Sequence, residues 1–202
     1  MPCLGHLVAR DGSCAACWKD AFANAQRAFW KQAAHTLWRT ISPVSRLKII
    51  DRVCWPILAA RAGRWCLTAG CLQQADSLQR KLIIWSRRYQ KTPGEPWDAF
   101  MRRKGREARR EAEERGRWST KLCLQVVQWK GHLDRHRDCW AWRLEQLMTK
   151  QSLMERRASR QGGLLAGRTG TRAKACHVHK RWHAGVQVAE EHLAMARVEG
   201  LC

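Results

Sequence analysis

Two amphipathic patterns separated by glycine constrain the fold of this chain more than any other feature. Between Leu47 and Trp85, apolar residues recur at intervals of three and four, the spacing that places side chains on one face of an α-helix. The apolar face of the first pattern consists of Leu47, Ile50, Cys54, Ile57 and Leu58. That of the second consists of Leu72, Ala75, Leu78, Leu82 and Trp85. We therefore predict two helices around a common core, the first ending near Gly63 and the second beginning after Gly70.

Pro56 lies inside the first pattern. Because proline has no amide hydrogen, it cannot bond to the carbonyl of Arg52, and its ring crowds that carbonyl. The apolar pattern continues beyond Pro56, so we expect a kink in the helix rather than an end. Lys48 and Arg52 lie four residues apart on another face, where they are available to an acidic partner.

The other long helical patterns lie on either side of this pair. A stretch without Gly or Pro, with apolar residues at helical spacing, predicts one helix over 15–40. Ser42 or Ser45 fits as the N-terminal cap of the helix over 44–62. A third long helix is predicted over 118–136.

Glycine, proline and one weak β pattern mark the boundaries between the helices. Residues 3–13 alternate weakly and end in an Asp-Gly turn signal, which predicts a short β element. Residues 92–96, Thr-Pro-Gly-Glu-Pro, form the clearest break, and four glycines near residue 165 predict a flexible basic loop. The fold class we expect is mainly α, a helical bundle with a short N-terminal β element and a basic Gly-rich loop. Its predicted parts are 1–13, 14–92, 93–161, and 162–202, the last ending in a terminal helix.

A net charge of +21 on 202 residues indicates a polyanionic partner. Nucleic acid is the natural one, and an anionic membrane surface is the alternative. The longest apolar run, over 53–60, is far shorter than the roughly 20 residues of a membrane-spanning helix. The ten cysteines are expected to be reduced and the protein intracellular, because no apolar signal segment opens the chain. This composition also fits a decayed genetic element or a spurious reading frame whose product never folds. The helical patterns argue against that alternative.

The candidate binding residues are cations in or beside the helical patterns. Between Arg102 and Lys121, nine Lys or Arg face four Glu, an excess beyond what a solvated, ion-paired helix needs. The candidates are Lys48, Arg52, Arg64, Arg80, Lys81, Arg87, Arg88, Arg102, Arg103, Lys104, Arg106, Arg109, Arg110, Arg117, Lys174, Lys180 and Arg181. Much of the affinity is expected from Arg102, Arg103, Lys104, Arg106, Arg109 and Arg110. Aromatic neighbours of such cations are candidates for stacking on unpaired bases, with core packing as the alternative: Trp65, Tyr89, Trp118 and Trp182.

Two clusters of cysteine and histidine have the side chains of a metal site but not its spacing. Cys14 and Cys17 form one CxxC at the start of a predicted helix. The second cluster, which has no partner pair at finger spacing, consists of Cys176, His177, His179 and His183. We therefore expect no metal site and no cofactor, and the sequence offers no catalytic residue.

Several residues of the central helices match a pattern from mobile-element polymerases. The matching residues are Leu47, Lys48, Val53, Pro56, Leu58, Gly63, Trp65, Leu78, Gln79, Arg80, Lys81 and Trp85. They resemble the region just after the palm in reverse transcriptases of non-LTR (LINE-type) retrotransposons. Looser matches extend the resemblance over most of the chain: Leu4, Gly5, Asp11, Gly12, Phe29, Trp30, Trp129, Gly131, His132, Arg168, Thr169, Gly170, Thr171, Arg172, Arg181 and Trp182.

The resemblance implies a thumb-like and C-terminal region that grips a template and primer duplex through its backbone. The family's palm holds two metal ions with paired aspartates, whereas this chain has no adjacent aspartates and its only tyrosine is Tyr89. We therefore expect part of an RNA-directed DNA polymerase, inactive alone, that binds RNA or DNA, packs against a missing palm and works in the nucleus. The alternative is a self-standing basic helical interaction protein that binds RNA or an acidic protein.

Overall fold

The protein is mainly α-helical in the computed structural model, which describes residues 2–3, 6–7, 15–60, 67–138, 142–143, 146–147 and 172–198. For residues 172–183 the backbone alone is described. The elements are β1 (Pro2–Cys3), β2 (His6–Leu7), α1 (Ala15–Ala33), a 3₁₀ turn (Thr36–Arg39), α2 (Pro43–Ile49), a π-helical turn (Ile50–Cys54), α3 (Trp55–Ala59), α4 (Ala69–Arg87), α5 (Trp97–Glu114), α6 (Trp118–Arg135) and α7 (Arg172–Val198). Strands β1 and β2 pair antiparallel.

Helix α4 is the element on which the others assemble. It contacts α1, α2, α5 and α6. Leu72, Ala75, Leu78 and Leu82 of its predicted apolar face are buried, and Trp85 is half-buried against the same core. This confirms the helical pattern. Burial of one such leucine stabilises the fold by about 1.5–3 kcal/mol, so this face is a main source of stability.

Helix α1 ends at Ala33, and the prediction of one helix through residue 40 is wrong for its last part. The chain bends into the 3₁₀ turn Thr36–Arg39. This bend places Trp38 edge-on against Phe29, with ring centroids 5.5 Å apart, and both rings are buried. Burying a second aromatic ring stabilises the bend. The helix through residue 40 was predicted from the absence of Gly and Pro, and that local signal carries no information about a contact between distant rings.

The helix predicted over 44–62 contains a widened turn in front of Pro56. Helix α2 passes into the π-helical turn, in which the amide of Trp55 bonds to the carbonyl of Ile50, and then continues as α3. A π-helical turn places an extra residue in the helix, so the proline lies at the start of a new α-helical segment, where its missing amide is tolerated. Pro56 therefore distorts the helix without ending it, as predicted.

Helices α6 and α7 pack against each other, and α6 also contacts α4. Helix α6 ends at Arg135, within one residue of its predicted end. Leu122 and Val126 of α6 lie in the same buried core as Val186 and Leu193 of α7. Helix α7 spans Arg172–Val198 and lies in the part 162–202, for which a terminal helix was predicted.

Some expectations lie outside the described residues. They include the Gly-rich loop near residue 165. Helix α3 ends at Ala59, four residues before the end predicted near Gly63. The break over 92–96 falls between α4 and α5, as expected, while the division of the chain into four parts stays a prediction. Across the described ranges, no helix combines the length and the apolar character that crossing a membrane requires.

Candidate nucleic-acid interface

Helix α5 carries the densest run of cations, and three of its arginines share one side of the helix. Three of its residues are buried in the fold: Phe100, Ala108 and Ala112. At 3.6 residues per turn, one side of the helix presents Arg102, Arg106 and Arg109. A different side presents the carboxylates of Glu107, Glu111 and Glu114. Asp98 and Glu113 also lie on the arginine side, and Glu113 pairs with Arg117 beyond the end of the helix.

The carboxylate side of α5 helps to anchor the loop that precedes the helix. Arg103 donates to both oxygens of Glu95, from Nε at 3.0 Å and from Nη2 at 2.8 Å, and also to the Gln90 carbonyl at 3.0 Å. The Thr92 amide donates to the same carboxylate at 3.1 Å. The hydrogen bond from Arg103 outweighs desolvation and, with that from Thr92, lowers the pKa of Glu95 to about 2. Arg103 thus clamps the loop, and a phosphate would compete with Glu95 for it.

Glu111 joins α5 to two other parts of the fold. It accepts hydrogen bonds from Arg87 of α4 and, at 3.0 Å, from Arg115 after the end of α5. Arg115 also donates to Asp51 in the π-helical turn at 2.6 Å. Burial acts to raise the pKa of Glu111, but the hydrogen bonds from Arg87 and Arg115 keep it below its usual value. These cations are therefore part of the scaffold.

A groove of about 590 Å³ lies between α4 and α5. Five cations line it: Arg80, Lys81, Arg102, Arg106 and Arg109. No described residue of its lining is acidic, and no ion pair to any of the five occurs within the described residues. Its apolar lining consists of Ile84, Met101 and Ala108. We call this feature the α4–α5 groove.

A second pocket of about 280 Å³ shares part of this lining. Arg80 and Arg109 line both cavities, and Arg117 adds a further cation to the second one. Asp76 also lies in this second lining, but its two oxygens accept hydrogen bonds from the amide and hydroxyl of Ser119, both at 2.8 Å. Because Arg80 and Arg109 line both cavities, the basic surface extends from the α4–α5 groove toward the start of α6.

The start of α6 is fixed by two polar residues of α4. The buried Gln79 donates to the Gly116 carbonyl at 3.2 Å and accepts from the Trp118 amide at 3.0 Å. Asp76, one turn earlier, accepts from the amide of Ser119. Both satisfy amides that a helix N-terminus leaves without an intrahelical partner. The sequence analysis named Gln79 only as part of the resemblance and did not name Asp76. The signal for Gln79 was a polar residue directly after the buried Leu78.

The chain matches no protein-family model, no curated protein and no solved structure. The resemblance to non-LTR reverse transcriptases therefore stays a prediction. The case for a binding site rests on the geometry of the α4–α5 groove.

The structure brings five of the predicted binding residues together in this groove and distributes the others. Those held in ion pairs with glutamates are Arg87, Arg103, Arg110 and Arg117. Exposed on other segments are Lys48, Arg52 and Arg88. Lys104 lies over the ring of Phe100, 5.7 Å from its centroid. Outside the description are Arg64 and the side chains of Lys174, Lys180 and Arg181.

The aromatic candidates for base stacking differ in how deeply they are buried. Trp118 is fully buried and packs against Trp55, with ring centroids 5.7 Å apart, so the stacking prediction is wrong for Trp118 and the core-packing alternative is right. Tyr89 is half-buried. Trp65 and the side chain of Trp182 lie outside the described residues. Sequence reasoning did not single out Trp97, whose side chain is 62% exposed.

The described residues contain no group of three or more potential metal ligands. Cys14 and the side chains of the cluster over 176–183 lie outside them, so the absence of zinc stays a prediction. Within the core, burial and the nearby charge of Asp51 raise the pKa of Cys54 to about 12. Its thiol is therefore protonated at neutral pH and has the role of an apolar side chain.

Proposed function

We propose that this protein binds the phosphate backbone of nucleic acid in the α4–α5 groove. The observation that carries the proposal is the convergence of five cations on one groove whose described lining has no carboxylate. Like charges in one groove repel each other, so the arrangement is stabilised when an anion enters it. A chain of phosphates supplies several anions at fixed spacing and releases its own counterions on binding.

The distribution of carboxylate partners among the arginines of α5 supports a site over a merely solvated helix. Where α5 meets the rest of the fold, its arginines have carboxylate partners, as Arg103 has Glu95. The arginines of the groove, such as Arg106, have no such partner among the described residues. Both interpretations of the basic run therefore apply, each to a different face of the same helix.

The composition of the groove favours recognition of the backbone over readout of base sequence. Four of its five cations are arginines, whose planar guanidinium groups match phosphate oxygens with two parallel hydrogen bonds. Reading a base edge requires several hydrogen-bonding groups, whereas the uncharged lining is mostly apolar and its one hydroxyl, that of Ser77, accepts a hydrogen bond from Arg80. We expect tight binding at low salt with little preference for sequence.

The resemblance gives this binding a biological setting. By this resemblance, the helical bundle is the thumb-like region that follows the palm in the chain of a non-LTR reverse transcriptase. It grips nucleic acid and works in the nucleus. The chain itself has no adjacent aspartates to hold the two catalytic metal ions. We expect no primer extension by the purified chain with any template or divalent metal. Template-dependent incorporation that persists after removal of contaminating polymerase would contradict this.

Binding is tested by replacing the cations of the groove on α5. The groove variant R102Q/R106Q/R109Q should weaken binding to a fluorescein-labelled hairpin RNA at least about tenfold at low salt. The α1 variant K19Q/R27Q/K31Q is the matched control, because it removes three exposed positive charges from another helix. Equal affinity losses in the two variants would mean that only net charge matters and would contradict the proposed site.

The alternative partner, an acidic protein, is tested in the same assay by competition. Unlabelled poly(U) and poly-glutamate are added at equal total charge. We expect poly(U) to displace the hairpin at the lower concentration, because guanidinium groups bind phosphate in a geometry that a flexible carboxylate chain does not reproduce. More effective displacement by poly-glutamate would favour the acidic protein partner.

A further inference from the structure

We infer that the α4–α5 groove takes an unpaired strand of RNA or DNA and that Trp97 stacks on one of its bases. This rests on the proposed function and specifies the form of the ligand. It departs from the duplex that the resemblance implies.

Trp97 is an exposed aromatic side chain at the start of α5. It is 62% exposed, yet its ring is positioned by the buried Phe100, with ring centroids 5.5 Å apart. The contact holds one part of the indole and leaves the rest open to solvent. An indole held in this way is a stacking platform that loses little conformational freedom when a base binds.

The position of Trp97 relates it to the groove. Met101 lies one turn further along α5, lines the groove and is 44% exposed. Ala108 lies two further turns along the same side and also lines the groove. Trp97 therefore extends the strip of Met101 and Ala108 toward the N-terminal end of α5, and the arginines that begin at Arg102 lie across that strip from it.

The combination of groove arginines with the exposed Trp97 and Met101 distinguishes an unpaired strand from a duplex. A duplex presents its phosphates outward and keeps the faces of its bases stacked inside, so it can use the arginines but not Trp97 or Met101. An unpaired strand presents phosphates and base faces together and can use both. Charge complementarity thus selects a polyanion, and the apolar strip beside the charges selects one with accessible bases.

The length of the site follows from helix geometry. From Trp97 to Arg109 the axis of α5 rises by about 18 Å, at 1.5 Å per residue. A stacked strand rises by about 3.4 Å per nucleotide along its axis, so this distance accommodates about five stacked nucleotides. Oligonucleotides shorter than this should lose affinity steeply, while longer ones should gain little at a single site.

The test compares an unstructured 12-mer, dT12, with a 12-base-pair duplex by fluorescence anisotropy at equal salt. W97A should weaken binding of dT12 about fivefold or more and change duplex binding less than about twofold. W97F should restore most of the single-strand affinity, because phenylalanine keeps an aromatic face. W30A removes another exposed tryptophan, which packs against Phe29 and Trp85, and should leave the preference for the single strand unchanged.

The outcomes separate the inference from the proposed function. If W97A weakens dT12 and duplex equally, or neither, the inference is wrong. In that case the groove variant R102Q/R106Q/R109Q decides the rest, because loss of duplex binding in that variant alone leaves the proposed function standing. If the groove variant and the α1 variant bind both ligands equally well, the proposed function fails and the inference fails with it.

Discussion

The side chain of Gln79 accepts a hydrogen bond from the backbone amide of Trp118 at 3.0 Å, 39 positions further along the chain. The side-chain NH2 group of Gln79 donates to the Gly116 carbonyl at 3.2 Å. One buried glutamine of α4 therefore holds the turn between α5 and α6, and with it the end of α5 that carries Arg109. The basic groove depends on this connection for its shape.

Replacing Gln79 with methionine should lower the free energy of unfolding by about 2–4 kcal/mol. Methionine has a similar volume, but it leaves the Trp118 amide and the Gly116 carbonyl without their partner, and each lost partner costs about 1–3 kcal/mol when buried. Chemical denaturation monitored by circular dichroism measures the change. Q74M, at an exposed site on the same helix, should alter stability by less than about 0.5 kcal/mol. Equal stabilities of Q79M and wild type would rule out the proposed connection.

The same turn requires a glycine at residue 116. Gly116 has φ of +76°, and a Cβ there would lie 3.1 Å from Cε of Lys121. We expect G116A to destabilise the fold by about 1–2 kcal/mol, the cost of a left-handed conformation for an L-residue. The same change at Gly105, inside α5 with no atom within 4 Å of the added carbon, should stabilise it by about 0.5–1 kcal/mol. Changes of the same sign in both variants would contradict the assigned geometry.

The clamp between Arg103 and Glu95 should make stability depend on pH. Because the folded pKa of Glu95 is about 2, well below the ordinary value of a glutamate, its contribution is complete above about pH 5 and is lost as pH falls toward 2. Wild type should therefore be more stable than E95Q at pH 6, and the difference should shrink between pH 5 and pH 2. E114Q, in an exposed pair with Arg110 at 3.7 Å, should show little difference at any pH. A constant difference between wild type and E95Q would exclude the clamp.

Local periodicity was enough to predict helices α4 and α6 and the buried face of α4. It places Leu72 and Leu82 correctly because one-sided burial is encoded in the spacing of neighbouring residues. It could not predict that Arg46 is buried, since its guanidinium donates to the Ser86 carbonyl at 3.0 Å, across 40 residues, and to the Arg39 carbonyl at 3.3 Å. Contacts of this kind exist only once the helices are assembled.

The same limit applies to the binding site. The sequence showed an excess of positive charge around α5 but not which cations remain without acidic partners. Arg87 is neutralised by Glu111 from a neighbouring helix, and Arg103 by Glu95 from the preceding loop. The cations of the groove can be identified only after the arginines with carboxylate partners are set aside. Arg80 belongs to the groove because α4 lies beside α5.

Asp98 offers a prediction in which binding and stability change in opposite directions. It is exposed in the first turn of α5, four residues before Arg102, where it interacts favourably with the helix dipole but repels phosphate. D98N should lower stability by about 0.3–1 kcal/mol and tighten binding of nucleic acid. D134N removes the same charge near the end of α6, where it should raise stability slightly and leave affinity unchanged. Weaker binding by D98N would argue against phosphate contacts at this end of the groove.

The groove variant should also be at least as stable as wild type at low salt. Its arginines have no carboxylate partners among the described residues, so their removal relieves repulsion without breaking an ion pair. R103Q, which breaks the clamp on Glu95, should instead lower stability. Thermal unfolding at low salt distinguishes the two. A groove variant less stable than R103Q would show that the groove arginines support the fold.

The salt dependence of duplex binding tests the central claim most directly. If all five groove cations contact phosphates, log K should fall with log salt with a slope of about −4.5, and with about −1.8 in the variant R102Q/R106Q/R109Q. The α1 variant K19Q/R27Q/K31Q should keep the wild-type slope. A groove variant with the wild-type slope, or an α1 variant whose slope flattens as much, would place the phosphate contacts outside the α4–α5 groove.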